Sequence, residues 1–318
     1  MKIDVKYSIV IPSYNEEKSL LILLEKIKSI FLEKVKLSDF EIVFIDDGST
    51  DDSYRLVENW MNNTKVQMTI IRFRKNRGKS YALNAGFKEA LGKVILTLDA
   101  DLQDEPDELF NLIDKLGQDY DLVSGWKKQR NDPLTKTIPS LFFNLATSFI
   151  SGVKLHDFNC GLKAYRSEVV KDINLYGELH RYIPLLAAWR GYKVTEIPVK
   201  HHKRKFGHTK YGIERYLRGF LDLITVTFLN KYLKRPLHLF GGVGLIFLFI
   251  GLIILVYFTI LWFIGIGIGF RPLFFLGILM IIAGLQSFFF GLLGDMLASY
   301  SNTEQRYITV KNDIDENN

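Results

Sequence analysis

The stretch Val94–Asp107, VILTLDADLQDEPD, decides the fold. Val94 to Leu98 form a short apolar run with β-branched residues, closed by a turn containing Pro106, and read as a buried strand. Asp99 and Asp101 flank Ala100 at its carboxyl end, with Gln103 and Asp104 just beyond. Open α/β sheets bind ligands at the carboxyl ends of their strands. Two carboxylates held there repel each other unless a cation lies between them. A hard divalent ion carrying substrate phosphates, Mg²⁺ or Mn²⁺, is the natural candidate. A solvated acidic turn before a helix is the alternative, and the motif by itself does not exclude it.

Working outward, the same alternation repeats. Strands are expected at Tyr7–Pro12, Phe40–Ile45, Val66–Phe73 and Asp121–Gly125, with helices to about Ile30, to about Met61, after Asn76–Lys79 and over Pro106–Gly117. Strands alternating with helices of this length imply βαβ units and a mostly parallel sheet. The polar clusters Ser13–Glu17, Asp46–Asp51, Asn76–Lys79 and Asp99–Asp104 all follow strands, so one edge of the sheet gathers them into one crevice. No G-x-G-x-x-G follows the first strand and no Walker A motif is present, which argues against nicotinamide and P-loop chemistry. A metal-bridged pyrophosphate fits the acidic strand end better.

The C-terminal third is different in kind. Leu237–Ile264 and Pro272–Leu293 are almost uncharged and exceed the roughly 20 apolar residues of a spanning helix. Only GIGIGFR separates them, so they form a hairpin with both flanks on one side. Lys231, Lys234 and Arg235 place that side in the cytosol. The expected organisation is a cytosolic α/β domain over 1–210, a juxtamembrane amphipathic helix over 211–235, two transmembrane helices over 236–297 and a cytosolic tail over 298–318. Pro139–Val153 and Tyr211–Leu233 mix apolar and basic residues at helical spacing, which suits either the headgroup plane or the domain core. The net charge is +6, and the basic runs His201–Lys210 and Asn230–His238 adjoin the apolar region. That placement points to anionic headgroups or a phosphate ligand, and no nucleic-acid partner is expected. The single cysteine, Cys160, excludes an internal disulfide and fits a reducing compartment. Glycine-rich spans and the tail Ala298–Asn318 also suit a homo-oligomer.

SIVIPSYNEE (8–17), FIDDGSTD (44–51), NRGKSYALNAGF (76–87) and LDADLQDEP (98–106), in this order, resemble family 2 glycosyltransferases of the GT-A fold. SGWKKQRNDP (124–133), DFNCGLKAYR (157–166) and the stretch ending HHKRKFGHTKYG (201–212) narrow the resemblance to polyprenyl-phosphate glycosyltransferases, a branch holding dolichol-phosphate mannose synthases and bacterial undecaprenyl-phosphate glucosyltransferases. It covers about Tyr7–Tyr211 by motif and the hairpin by architecture.

The resemblance implies that Pro12, Tyr14, Glu16 and Asp47, with Lys79 and Asp99, hold the sugar nucleotide. It implies that Asp99, Asp101 and Gln103 serve the metal. Asp101, Asp157, Arg204 and Lys210 become the catalytic set, with Arg204 and Lys210 clamping phosphates. Lys127, Arg130 and Arg181 become candidates for the acceptor phosphate. The activity implied is inverting transfer of a hexose, with UDP-glucose as lead donor, to undecaprenyl phosphate at the cytosolic membrane face. A GDP-mannose-dependent transferase is the alternative, and a non-catalytic membrane scaffold is the alternative of a different class. A processive polysaccharide synthase is disfavoured, because its Q-x-x-R-W motif is absent.

Overall fold

A computed structural model of the protein describes residues 5–128, 144–145, 147–148, 152–202, 225, 227–228, 236–267, 269 and 271–300, the last three by backbone alone. Its N-terminal unit alternates β1 (Tyr7–Ser13), α1 (Glu17–Lys34), β2 (Phe40–Asp46), α2 (Ser53–Asn63), β3 (Gln67–Arg72), α3 (Lys79–Glu89), β4 (Val94–Thr97), α4 (Glu108–Leu116) and β5 (Leu122–Trp126). Then follow β6 (Lys163–Arg166), α5 (Ser167–Asp172), α6 (Ile183–Trp189) and β7 (Val194–Pro198). The strands form one seven-stranded sheet in the order β3-β2-β1-β4-β6-β5-β7.

β1, β2, β3 and β4 are mutually parallel, and β5 pairs with β7 in parallel. β6 runs antiparallel to both β4 and β5. The segments after β1, β2, β3, β4, β5 and β7, and the one leading into β6, therefore share one edge. The order reverses between β1 and β4, where open α/β sheets place their ligands.

Both faces of the sheet are buried, as a parallel sheet requires. Along β1 and β2 the alternation is clear: Ile9, Ile11, Ile42 and Phe44 pack with Leu20, Leu24 and Ile27 of α1 and Leu109 and Leu112 of α4. Val10, Val43 and Ile45 point the other way, onto Ala82, Leu83 and Phe87 of α3 and the residues around α5 and α6. Burying chains of this size stabilises by roughly 1.5–3 kcal/mol each.

The observed strands agree with the expected ones to within a residue or two at each end. β6 and β7 were not expected. The N-terminal unit runs to Val226 and the second unit begins at Thr227. Most of the expected juxtamembrane helix, of the tail and of Pro139–Val153 lies outside the described residues.

Among the described residues the second unit holds two long helices, α7 (Pro236–Phe263) and α8 (Pro272–Tyr300), with candidate spans Pro236–Phe263 and Pro272–Leu297 of mean hydropathy 2.9 and 2.3. At 1.5 Å per residue each is about 40 Å long, enough to cross a hydrocarbon core of about 30 Å. Glycines let the two backbones touch: a Cβ on Gly244 would lie 2.7 Å from the Gly284 carbonyl oxygen, and one on Gly284 would lie 2.8 Å from that of Gly244. Polar contacts fix the register. Ser287 Oγ donates to the Phe240 carbonyl at 2.9 Å, and the Leu237 N–H donates to Asp295 Oδ1 at 3.3 Å. The large apolar side chains facing outward, including Phe249, Trp262, Phe289 and Phe290, match a lipid surroundings.

Candidate active site

The sheet edge is organised by polar contacts between successive loops. After β1, Asn15 takes a left-handed conformation (φ 53°), its N–H donating to Ser49 Oγ at 2.9 Å and its Oδ1 accepting the Thr50 N–H at 2.8 Å. These contacts tie Pro12, Tyr14 and Glu16 to the loop after β2. Asp47 then joins that loop to the next: its carboxylate accepts the N–H of Arg77 at 2.7 Å and of Gly78 at 2.9 Å. Burial raises the Asp47 pKa, and the two backbone donors partly offset it. The expected nucleotide residues on these loops are thus held at one edge.

Lys79 opens α3 and reaches across to β4. Its ammonium bonds Asp99 Oδ1 at 2.5 Å, uniting two residues expected in the nucleotide site. Directly behind Asp99 lies Gly161, whose carbonyl accepts from Thr97 Oγ1 at 2.9 Å. A Cβ on Gly161 would sit 2.5 Å from both Cγ and Oδ2 of Asp99, so only glycine leaves room for this carboxylate. A small cleft opens here, lined among others by Lys79, Asp99, Asn159, Lys163 and His180.

Lys163, Asn159 and His180 were not expected as site residues. Lys163 is 4% exposed and donates to the Cys160 carbonyl. Burial draws its ammonium down to about 8, against an opposing pull from Cys160 and with added repulsion from Lys79. The signal was a lysine inside the short run LKAY, legible only once β6 is known to be a strand. His180 is anchored by Ser80, whose Oγ accepts the His180 N–H and contacts Nδ1, both at 3.0 Å. Burial, and after it Asp104, pushes the Cys160 thiol up to about 12, which removes it as a nucleophile.

The metal turn follows β4. Asp101 Oδ1 accepts the Gln103 N–H at 3.2 Å, and Leu102 between them is left-handed (φ 58°). Asp99, Asp101 and Gln103 offer two carboxylates and an amide oxygen on one partly exposed turn. No cluster of three or more His, Cys, Asp or Glu able to hold a metal exists among the described residues. This donor set fits Mg²⁺ or Mn²⁺, which take one or two carboxylates and complete their shell with substrate phosphate and water.

Two of the expected acceptor-phosphate ligands have other partners. Lys127, after β5, lies 3.5 Å from the buried Asp104, which also receives the His201 Nδ1 proton at 2.9 Å. Burial opposes the charge on both members, yet each ion holds the other: Asp104 stays at about 2, and Lys127 stays above the usual lysine range. Arg181 is 6% exposed and pairs with Glu178 at 2.9 Å. Asp157 is buried and its Oδ1 accepts the Asn159 N–H at 3.0 Å, an Asx turn at the entry to β6. The neighbouring His156 is paired with Glu196 of β7 and stacks on Trp126 at 4.2 Å. Arg130, Arg204 and Lys210 lie outside the described residues.

The sequence matches the family model described as Glycosyl transferase family 2 over residues 8–173. It is 36% identical over 300 residues, 93% of this chain and 88% of the relative, to the dodecaprenyl-phosphate galacturonate synthase of Rhizobium johnstonii. It is 35% identical over 304 residues, 94% of this chain and 87% of the relative, to the undecaprenyl-phosphate 4-deoxy-4-formamido-L-arabinose transferase of Pseudomonas aeruginosa. Among solved structures, a mannosyltransferase of Pyrobaculum calidifontis in complex with GDP-Man and Mn²⁺ shares the fold at a TM-score of 0.51 and 17% identity, covering 95% of this chain and 77% of that one.

Proposed function

The chain belongs to glycosyl transferase family 2, and from that membership we propose that it moves a sugar from a nucleotide diphosphate onto a polyprenyl phosphate. The observation that carries this reading is the partly exposed acidic turn at the sheet's switch point, beside the Lys79–Asp99 pair. Its relatives, named for polyprenyl-phosphate sugars, supply the acceptor class, and the hairpin supports a site at the membrane. The basic flank of the first span favours the cytosolic face of the inner membrane, with both helices spanning.

A lipid phosphate monoester has a second pKa near 6 and is already a nucleophile at neutral pH. No strong base is needed, so Asp157 acts by holding its loop. Asp47 and the loop after β1 fix the nucleoside end. Lys79 steadies Asp99 against the sugar and ribose. Asp101, with Asp99 and Gln103, would hold a divalent ion, which would supply charge neutralisation for a departing diphosphate. Arg204 and Lys210 clamp the same phosphates, and Arg130 is a candidate for the acceptor's. One in-line displacement inverts the anomeric centre.

The donor is a UDP-sugar in this reading, with glucose the lead from the family resemblance. A uronic acid is a second reading, favoured by the likeness to a dodecaprenyl-phosphate galacturonate synthase over 93% of this chain. Calorimetric titration of the purified chain with UDP and GDP tests the nucleotide site. UDP is expected to bind about tenfold tighter than GDP and only with Mn²⁺ or Mg²⁺ present. Nucleotide binding indifferent to metal, or absent, leaves a membrane scaffold as the better reading.

A further inference from the structure

The turn that carries Asp101 and Gln103 holds a leucine in the left-handed region, a conformation that surrounding contacts must enforce. The residues just after it are held by the segment after β7. The His202 N–H donates to the Gln103 carbonyl at 2.7 Å, and Gln103 Nε2 donates back to the His202 carbonyl at 3.3 Å. Asp104 and His201 form an isolated antiparallel bridge, reinforced by the His201 Nδ1 to Asp104 bond at 2.9 Å. His202 Nε2 lies 3.0 Å from Glu105 Oε2. Residues 103–105 are thus zipped to 201–202, nearly a hundred positions away in the chain.

Within the zipper one contact is different. His201 and Asp104 are 9% and 3% exposed, and Lys127 lies against the same carboxylate. The other side-chain contacts, from Gln103 and from His202, are exposed. A buried, charge-assisted bond in a low-dielectric setting is the strongest and least replaceable member of such a set.

The geometry points to His201 and Asp104 as positioning residues for the metal turn: their buried bond fixes the conformation in which Asp101 and Gln103 face a divalent cation and the donor diphosphate. Both side chains are buried in their mutual bond. This rests on the glycosyltransferase reading above and extends it to residues that set the affinity for the ion.

The test is Mn²⁺ binding by the full chain in detergent with UDP present, read from the electron paramagnetic resonance signal of free Mn²⁺. His201→Ala is expected to raise the half-saturating Mn²⁺ concentration about tenfold, the usual scale for losing a partner behind a metal ligand. The substitution removes no negative charge from the turn, so Coulomb attraction for a cation is not weakened and a loss reports geometry. His201→Asn places an amide nitrogen where Nδ1 stood and is expected to restore most of the affinity. His201→Gln, which carries its amide past Asp104, is expected to behave as alanine and stands in for it if alanine does not fold. Mn²⁺ affinity within twofold of the unaltered chain in His201→Ala or His201→Gln overturns the inference, as does failure of asparagine to rescue. If the unaltered chain binds no Mn²⁺ with UDP, the glycosyltransferase reading falls first and this one with it.

Discussion

Replacing Asp101 with alanine is expected to lower sugar transfer about a thousandfold, equivalent to about 4 kcal/mol of transition-state stabilisation. The side chain is partly exposed on the turn, where its Oδ1 accepts the Gln103 N–H at 3.2 Å. Asp101→Asn keeps an acceptor for that bond and removes only the charge. It is therefore expected to lose nearly as much activity as alanine, while circular dichroism and thermal unfolding stay unchanged in both variants. Turnover of a labelled donor measures the effect. An asparagine variant within tenfold of the unaltered chain shows that the carboxylate shapes the turn rather than serving an ion.

Gly161→Ala acts on the neighbouring carboxylate without touching it chemically. Gly161 does not have a positive φ, so alanine brings no backbone strain. Its Cβ would instead meet the Asp99 carboxylate at 2.5 Å and drive it from the Lys79 ammonium. A short side chain has no path around such a contact except rotation out of the cleft. Misplacement by about 1 Å in a site of this kind costs roughly a hundredfold, which is the fall in transfer expected here, with the core intact because the displaced group is at the crevice. Activity close to that of the unaltered chain means that the Lys79–Asp99 pair is not part of the reacting arrangement.

Much of this architecture is legible in the sequence because the parallel strands are apolar on both faces. IVI at 9–11, IVFI at 42–45 and VIL at 94–96 leave few alternatives to buried strands, and the glycine and aspartate clusters after them mark the edge where they end. β6 and β7 escape the same reasoning. KAYR carries a lysine and an arginine in four residues, and VTEIP ends in proline on a half-buried edge strand, so neither shows the expected pattern. What was lost with them is specific. β6 delivers Gly161 and Lys163 to Asp99, and β7 delivers His201 to Asp104, and no local spacing reports contacts that span the sheet.

The charged residues show the same limit. The resemblance makes Lys127 a candidate for the acceptor phosphate, and the structure adds a partner, Asp104, 23 positions earlier. Arg181, a candidate by the same resemblance, is 6% exposed and paired with Glu178. Sequence identifies which residue types are present at an edge. Which of them keep their charge for a substrate depends on partners that only the tertiary structure supplies.

The most direct measurement is transfer itself: purified full-length protein in detergent, undecaprenyl phosphate, Mn²⁺, and labelled UDP-glucose, UDP-galacturonate and GDP-mannose in parallel. The account predicts a lipid-linked monosaccharide phosphate from one UDP-sugar, inverted at the anomeric carbon and abolished by chelation. Absence of lipid product from every donor, or a product formed equally well with excess chelator, contradicts it.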